Sequence, residues 1–335
     1  MYNFFKCPQC GQAMSLPSCG CGYTAENKNG IYQLTNTPYI IKEDSADVKY
    51  IGYEDIGEVY SGKSLFEKIN IDEMYKKTAE IIGGGILLDL ACGDGLFTVP
   101  LVAQNVSVIS MDISDKMLSL IYKRAEIADI DSNRFFLCRA NALDIPLADC
   151  SVDAAIANNM LHLISKPENV IKEIHRVLKI GGKYIAFDDG PGRGNSESND
   201  FTEEETENNQ KESEYIGFIH RRYFEILKSE YNINATRYSW KFDRDKICSE
   251  FFGDIKTYAV ENKPIKIKKT MRDSSLYRMS GKGFSDQSDV PPDIHKTVFE
   301  TVMGEYNTKY GAETLDTIVT YYDRFHTTDI TVYTK

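Results

Sequence analysis

The seven residues from Asp89 to Gly95, Asp-Leu-Ala-Cys-Gly-Asp-Gly, combine carboxylates and glycines in a pattern suited to binding a nucleotide-like ligand. They end the apolar run 86–90, which is typical of a buried parallel strand. Gly93 and Gly95 allow a sharp turn and close approach to a ligand, and the next predicted helix directs its N-terminal amides at the same place. Asp112 ends the following predicted strand, where a carboxylate can accept both hydroxyls of a ribose. A dinucleotide fingerprint would need a third glycine, but position 98 is a threonine.

Four cysteines near the N-terminus form a second group of residues whose side chains could do chemistry. Cys7 and Cys10 are separated by two residues, and Cys19 and Cys21 by one, with glycines beside each pair. Four thiolates suit tetrahedral zinc, which would stabilise a segment too short to build its own core. We therefore predict a structural zinc site at these four residues. Because the second pair has the unusual CxC spacing, free thiols or a lost site remain the alternative.

The region from about 55 to 189 contains the elements that must position the carboxylates and glycines. Predicted strands cover 86–90, 106–111, 135–138, 152–157 and 183–188. Helix-length connections separate them, which indicates a parallel sheet with helices on both faces. The tail after 317 predicts two further strands around His326-Thr-Thr328. We therefore expect a doubly wound α/β fold with a mostly parallel, seven-stranded sheet and a large insertion before the last two strands.

This pattern divides the chain into four parts. We expect a zinc-ribbon-like module at 1–40, a ligand-binding α/β domain at 50–190, a lid or substrate-binding insertion at 191–314, and a terminal β-hairpin at 315–335 that completes the sheet. Within the insertion, 195–214 contains eight acidic residues and one lysine and has almost no apolar side chains. We predict a flexible acidic loop there, either a solvated linker or a regulatory element.

Charge and composition restrict the classes of partner and location. The net charge of -11 argues against broad electrostatic capture of nucleic acid, although -7 of it comes from 195–214 alone. No run of about 18 apolar residues is present, so we expect no membrane span, and the N-terminal residues lack the pattern of a secretory leader. These features predict a cytoplasmic protein, in which the cysteines are thiols or metal ligands.

Four motifs in this order resemble the class I S-adenosylmethionine-dependent methyltransferases of the type 11-like group. The matching segments are the strand and loop 87–95, the acid Asp112 after the second strand, Asn141–Leu147 before the fourth strand, and Glu173–Gly182 before the fifth. The resemblance covers about 55–189 and the terminal strands. It implies the class I methyltransferase fold, an enzyme, and S-adenosylmethionine as the cofactor.

The resemblance also implies roles for individual residues. Asp89 and the Gly93–Gly95 loop should face the methionine part of the cofactor, and Asp112 should bind the ribose. Ile113 and Met117 should pack on the adenine. The Asn141–Ala142 segment should hydrogen-bond the base. The complete predicted cofactor-binding set is Asp89, Ala91, Gly93, Asp94, Gly95, Asp112, Ile113, Met117, Asn141, Ala142 and Asn158.

The segment Tyr23–Leu34, which follows the four cysteines, resembles the zinc ribbon of small activator proteins that partner tRNA and rRNA methyltransferases. A similar ribbon opens a family of rRNA guanine methyltransferases, and such ribbons also precede methyltransferases of small molecules. The resemblance implies a substrate-positioning or structural module and does not by itself select RNA.

The acceptor is indicated by the segment Asn158–His162 at the end of the fourth strand. It resembles the corresponding part of methyltransferases acting on quinones and other small metabolites. His162 is a candidate catalytic base, and the alternative is a histidine packed beneath the lid. Tyr60 resembles a family tyrosine that closes over the cofactor, and as a core residue it would look the same.

Three functions follow. The first is methyl transfer to oxygen, nitrogen or carbon of a small molecule. The second is an rRNA or tRNA methyltransferase that uses the ribbon to position RNA, with a basic cluster of Lys263, Lys266, Lys268, Lys269 and Arg272 in support. The alternating Lys266 and Lys268 equally describe a solvated strand face. The third is a non-catalytic binding protein, which the intact motif residues make the weakest of the three.

Overall fold

The computed structural model of the protein describes residues 4–35, 72–164, 166–187, 201–234, 242–261, 265–273, 275–282, 287, 290–324 and 327–335. The strands in these ranges are β1 (Phe5–Lys6), β2 (Ala13–Met14), β3 (Asn27–Lys28), β4 (Ile31–Gln33), β5 (Ile86–Leu90), β6 (Ser107–Asp112), β7 (Phe136–Arg139), β8 (Val152–Ala157), β9 (Leu178–Phe187), β10 (Asp254–Glu261), β11 (Ile265–Thr270), β12 (Val319–Arg324) and β13 (Thr327–Thr334). The helices are α1 (Asp72–Ile82), α2 (Thr98–Ala103), α3 (Asp115–Ile127), α4 (Pro167–Val177), α5 (Glu203–Tyr231), α6 (Arg244–Ser249), α7 (Ser275–Ser280), α8 (Pro292–Tyr310) and α9 (Thr314–Thr317), with 3₁₀ turns at Ser132–Arg134 and Leu161–Leu163.

The main sheet has the order β10-β13-β9-β8-β5-β6-β7-β4-β3. Its five central strands, β5 to β9, are parallel and form the predicted doubly wound arrangement. The chain adds β6 and β7 on one side of β5 and then returns to add β8 and β9 on the other. This reversal opens a crevice at the carboxyl ends of β5 and β8, which is where open α/β sheets bind ligands.

The two predicted terminal strands both exist, but the predicted hairpin between them is wrong. β13 enters the main sheet antiparallel to both β9 and β10, while β12 pairs with β11 in a separate two-stranded sheet. A strand has two hydrogen-bonding edges, and β9 and β10 occupy both edges of β13, so β12 must pair elsewhere. The last strands of the seven-stranded core are therefore β10 and β13, and the predicted insertion is interrupted by β10.

The N-terminal module is joined to the main sheet rather than separate from it. Its strand β4 pairs in parallel with β7, so the seven-stranded core is extended to nine strands. β1 also forms an isolated bridge at Phe5 with Leu147, beyond the carboxyl end of β7. The module and the α/β domain therefore share one sheet and one apolar core.

Part of the described insertion, made up of α5, α7, α8 and the residues around them, forms a separate apolar core together with α9, whereas Cys248 and Phe252 pack in the core of the α/β domain. The flexible loop predicted at 195–214 is wrong over 203–214, which begin the 29-residue helix α5; residues 195–200 lie outside the described residues. A capping box starts this helix, because the Thr202 hydroxyl accepts from the Glu205 amide while the Glu205 carboxylate accepts from the Thr202 amide. The acidic residues of the first turn also match the positive end of the helix dipole.

Among the described residues, no helix combines the length and the apolar character needed to cross a membrane.

Candidate functional site

One cavity lies at the carboxyl ends of β5, β6, β7 and β8. Ten of the eleven residues predicted to bind the cofactor line it: Asp89, Ala91, Gly93, Asp94, Asp112, Ile113, Met117, Asn141, Ala142 and Asn158. Gly95 is the exception, because it faces helix α3 instead. A Cβ atom on Gly95 would lie 2.9 Å from Cγ1 of Ile121, so this glycine serves the close packing of the loop against the helix.

The Asp112 carboxylate is held in a fixed orientation at the end of β6. Its Oδ2 accepts a hydrogen bond of 2.9 Å from the Gly93 amide, and its Oδ1 accepts one of 2.9 Å from the Ser114 amide. The Ser114 hydroxyl in turn caps helix α3 by accepting from the Met117 amide. A carboxylate oxygen has further lone pairs, so Asp112 can still accept hydroxyl donors from a ligand.

Asp89 is the deeper of the two acids and is almost fully buried at the end of β5. Its Oδ2 accepts a hydrogen bond of 2.6 Å from the Thr98 hydroxyl, which lies 2.8 Å from the Ser110 hydroxyl. Burial raises the pKa of the Asp89 carboxyl to about 7, and the nearby negative charge of Asp112 adds to this, while the Thr98 hydrogen bond opposes it. A cationic ligand group beside Asp89 would therefore favour its ionised form.

The loop between β5 and α2 has unusual backbone conformations on the side facing the cavity. Ala91 and Gly93 have φ values of 53° and 56°, in the left-handed region that favours glycine. A Cβ atom on Gly93 would lie 3.3 Å from Cε of Met117, so the absence of a side chain also keeps the loop close to α3. The backbone thus curves around the space that a ligand would fill.

Asp94 lines the cavity, but its carboxylate is already paired. Arg124 donates to Asp94 Oδ2 at 2.7 Å and to the Asp94 carbonyl oxygen at 3.0 Å, and both side chains are largely buried. This ion pair fixes the loop to α3, so the Asp94 side chain is best understood as a support for the cavity wall.

The side of the cavity beyond β6 and β7 is bounded by Ile113, Met117, Asn141 and Ala142. Arg139 at the end of β7 donates to the Ile113 carbonyl oxygen at 2.9 Å, which joins the two loops. Asn141 Oδ1 accepts from the Leu143 amide at 3.0 Å, so the Asn141 side chain stabilises its own turn. This is the predicted adenine end of the cavity.

The opposite end of the cavity follows β8 and is lined mostly by residues outside the predicted cofactor-binding set, although Asn159 and Met160 belong to the segment Asn158–His162 that the sequence indicates for the acceptor. Asn159, Met160, Leu163 and Ile164 lie here beside the predicted Asn158, and Leu96 and Phe97 complete the wall. His162 lies in the 3₁₀ turn Leu161–Leu163 and is half-buried, but it is not among the lining residues. Tyr60, the other predicted catalytic residue, lies outside the described residues.

The four N-terminal cysteines come together as the sequence predicted. Their sulfur atoms all lie within 4.8 Å of one another, with 3.7 Å between Cys7 and Cys21 and 3.6 Å between Cys10 and Cys19. These separations exceed the roughly 2.05 Å of a disulfide. Four sulfurs in a tetrahedron about 2.3 Å from a zinc ion would be about 3.8 Å apart. The cluster therefore has dimensions suited to a tetrahedral metal.

Comparison with known proteins agrees with the geometry of the cavity. A family described as methyltransferase domain matches residues 88–186, which run from β5 to β9. An uncharacterized chloroplastic methyltransferase of Arabidopsis thaliana is 36% identical over 124 residues, which cover 36% of this chain and 34% of that protein. A demethylmenaquinone methyltransferase of Clavibacter sepedonicus is 27% identical over 137 residues, which cover 40% of this chain and 54% of that enzyme.

A third relative, the 27-O-demethylrifamycin SV methyltransferase of Amycolatopsis mediterranei, is 35% identical over 106 residues, which cover 31% of this chain and 39% of that enzyme. The chain thus spans about a third to a half of the length of these curated relatives. The family match, over residues 88–186, includes the strands and loops that surround the cavity. The strand order and these matches show that the α/β part of the chain has the class I methyltransferase fold and resembles methyltransferase domains over residues 88–186.

Proposed function

We propose that the protein transfers a methyl group from S-adenosylmethionine to a small-molecule acceptor. The observation that carries this proposal is the convergence of ten predicted cofactor residues on one cavity at the switch point of the sheet. The bound cofactor would supply an electrophilic methyl group on a sulfonium, for in-line displacement by the acceptor.

The residues of the cavity fit the parts of this cofactor. Asp112 has its carboxylate fixed by two amides and is suited to the ribose hydroxyls. Asp89 lies deeper and is suited to the ammonium of the methionine part. Ile113 and Met117 offer an apolar surface for adenine, and the Asn141–Ala142 backbone lies beside them for the edge of the base.

The protein's contribution to the reaction would be orientation and exclusion of water. Fixing the cofactor at one end and the acceptor at the other converts a two-body displacement into a reaction within one complex. Asn158 and Asn159 lie where they could orient a polar group of the acceptor. We retain His162 as a candidate base for a hydroxyl or carbon acid, because it lies beside the lining residue Leu163.

A small acceptor is supported by the apolar end of the cavity and by the names of two relatives, which act on demethylmenaquinone and on a demethylrifamycin. Among the described residues that line the cavity, none is a lysine or an arginine, so the cavity has no contact suited to a phosphate backbone. The alternative of rRNA or tRNA methylation receives no support from these relatives.

We also propose that Cys7, Cys10, Cys19 and Cys21 bind a structural zinc ion. The sulfur separations support this proposal, and the cysteine pairs lie in tight turns, with Gly11 donating to the Cys7 carbonyl and Gly22 to the Cys19 carbonyl. A cytoplasmic location, which would keep these thiols reduced, remains a prediction.

The decisive test is calorimetric titration with S-adenosylhomocysteine. We expect saturable binding to the wild-type protein and at least tenfold weaker binding to Asp112→Asn, because the amide keeps the shape but loses the charge and one acceptor. Glu126→Gln is the matched control, since it makes the same acid-to-amide change at an exposed residue of α3.

Two results would contradict the proposal. One is the absence of binding to folded, wild-type protein, and the other is an equal loss in Asp112→Asn and in Glu126→Gln. If binding is confirmed, hydroxylated quinones should be assayed as acceptors with radiolabelled cofactor, with tRNA and rRNA as the comparison.

A further inference from the structure

The N-terminal residues 4–35, here called the cysteine ribbon, contact the α/β domain at the adenine end of the cavity. β4 of the ribbon lies parallel to β7, with Gln33 opposite Arg139. The Leu34 amide also donates to the Arg139 carbonyl oxygen at 3.0 Å. β7 ends at Arg139, immediately before the lining residues Ala140, Asn141 and Ala142. The ribbon therefore holds the base of this loop.

A second contact lies at the far end of the same loop. The Ala148 amide donates to the Phe4 carbonyl oxygen at 2.7 Å, and the Lys6 amide donates to the Pro146 carbonyl oxygen at 3.1 Å. Cys7 follows directly and is buried in the same core as Leu147. Residues 140–147 thus run between two points that are both bonded to the ribbon, and one of these points is next to the cysteine cluster.

A third contact reaches the other adenine loop. Gln33 Nε2 donates to Asp115 Oδ1 at 2.8 Å, and the exposed fraction of Gln33 is only 9%. Asp115 is the first residue of α3, whose N-cap is Ser114, and it stands two residues from the lining residue Ile113. Its carboxylate is also close to the amides of the first helical turn, so its position affects how α3 begins.

These contacts form a continuous network around the adenine end. Gln33 bonds to Asp115 in the loop after β6, its backbone neighbour Leu34 bonds to Arg139 in the loop after β7, and Arg139 bonds to the Ile113 carbonyl. Among the backbone hydrogen bonds of the described residues, none joins the ribbon to residues 158–164 at the other end of the cavity. The ribbon is thus placed to set the separation of the two adenine loops.

We propose that Gln33 is a positioning residue for the cofactor, and that the cysteine ribbon acts through it and through β4 to hold the two adenine loops at their binding separation. This inference rests on the proposed function, because it assigns adenine to this end. It gives the four-cysteine cluster a role inside the enzyme, without requiring that the ribbon touch the acceptor. Metal in the cluster would then increase cofactor affinity indirectly, by ordering the ribbon.

The test compares three variants by calorimetric titration with S-adenosylhomocysteine. Gln33→Leu replaces the amide donor by an apolar side chain that is one atom shorter, and we expect about fivefold to tenfold weaker binding because a buried hydrogen bond to a charged group is lost. Gln33→Lys replaces the amide donor by an ammonium that can reach Asp115, and we expect it to restore binding to within about twofold of wild type. Lys28→Ala is the control in the same ribbon, since the ion pair of Lys28 within the described part of the chain is with the exposed Glu26.

The thermal midpoint and the zinc content of each ligand-free variant are measured alongside. The inference is supported if affinity falls in Gln33→Leu and recovers in Gln33→Lys, with zinc content and midpoint unchanged. It is overturned if Gln33→Leu binds like wild type, or if Gln33→Lys fails to restore binding and so indicates general damage to the ribbon. Absence of binding to wild type would instead reject the proposed function, which separates the two failures.

Discussion

The two ends of the cavity are built differently. At the end that we propose for the cofactor, called the cofactor end below, the polar groups are fixed by the fold, since amides orient Asp112, a hydroxyl pair holds Asp89, and Arg124 holds Asp94. The end beyond β8 is lined mainly by aliphatic side chains with two asparagines. A ligand at the first end meets preset charges and hydrogen bonds, whereas a ligand at the second is selected by shape and apolar contact. The same domain can therefore keep one cofactor while acceptors change.

The largest predicted effect tests whether the packing of the loop on α3 supports the cofactor end rigidly. Gly95→Ala should lower the free energy of unfolding by about 2–4 kcal/mol, because the new Cβ would lie 2.9 Å from Ile121 Cγ1 and because φ is 84°. Urea denaturation measures the change. Gly253→Ala is the control, because no atom lies within 4 Å of its Cβ position. Equal stability of the two variants would show that the loop is not tightly packed on α3.

The next prediction tests the charge of Asp89 at the cofactor end by measuring ligand affinity as a function of pH. The pKa of Asp89 is raised to about 7 by burial, and a cationic ligand group favours the ionised form. Affinity for S-adenosylhomocysteine should therefore rise about tenfold between about pH 6 and pH 8, as the ionised fraction rises from about 0.1 to 0.9. The stability of the ligand-free protein should change in the opposite direction. Because the folded pKa of Asp89 is raised, the native state binds the proton more tightly, so the free energy of unfolding should fall as the pH rises from the unfolded to the folded pKa.

Asp89→Asn provides the control for this pH dependence. It keeps an acceptor for the Thr98 hydroxyl but does not titrate, so its binding should be weaker and nearly independent of pH. Glu126→Gln should retain the wild-type slope. A slope that persists in Asp89→Asn would assign the titration to another group and remove Asp89 from the ammonium site.

A matched pair of truncations compares the two ends directly. Ile113 and Leu163 are both half-buried aliphatic residues that line the cavity, one at each end. Ile113→Ala should weaken S-adenosylhomocysteine about tenfold, because about 1–2 kcal/mol of apolar contact is lost. Leu163→Ala should leave this affinity within about twofold. Calorimetry on the two variants measures both values, and equal losses would mean that the cofactor fills the whole cavity.

The two ends of the cavity also differ in how much of each could be predicted from the sequence. The cofactor end depends on short segments in which strand, turn and acid are adjacent, so nine of its lining residues were predicted from local pattern and family resemblance, and the tenth predicted residue, Asn158, lines the other end. Gly95 was assigned to the ligand, although its contact is with Ile121, because a glycine required for packing has the same local pattern as one that faces a ligand. Met160, Leu163 and Ile164 were missed because an apolar residue lining a cavity resembles a core residue in sequence.

The insertion shows a second limit of prediction from sequence, which is the pairing of strands that lie far apart in the chain. The pairing of β13 with β10 joins residues about 70 positions apart, and nothing local distinguishes it from a hairpin with β12. Helix α5 was a different kind of error, since the signal was present as the capping box of Thr202 and Glu205. The acidic composition of 195–214 favours a loop, whereas the cap and the apolar periodicity that follows, which packs Ile219, Tyr223 and Leu227 into the core, indicate a helix.

The smallest predicted effect concerns Ala91, which holds a left-handed conformation on the wall of the cofactor end with φ of 53°. Ala91→Gly should raise the free energy of unfolding by about 0.5–1 kcal/mol, because glycine relieves strain of about 1–2 kcal/mol but loses more conformational entropy on folding. The same substitution at Ala103, exposed at the end of α2, should instead lower stability by about 0.5–1 kcal/mol. Urea denaturation of both variants measures the opposite signs. Because the backbone path is already set, Ala91→Gly should change S-adenosylhomocysteine affinity by less than about twofold. A large gain in affinity would show that the cofactor end is strained in the free protein, and that its groups are less rigidly preset than the comparison of the two ends implies.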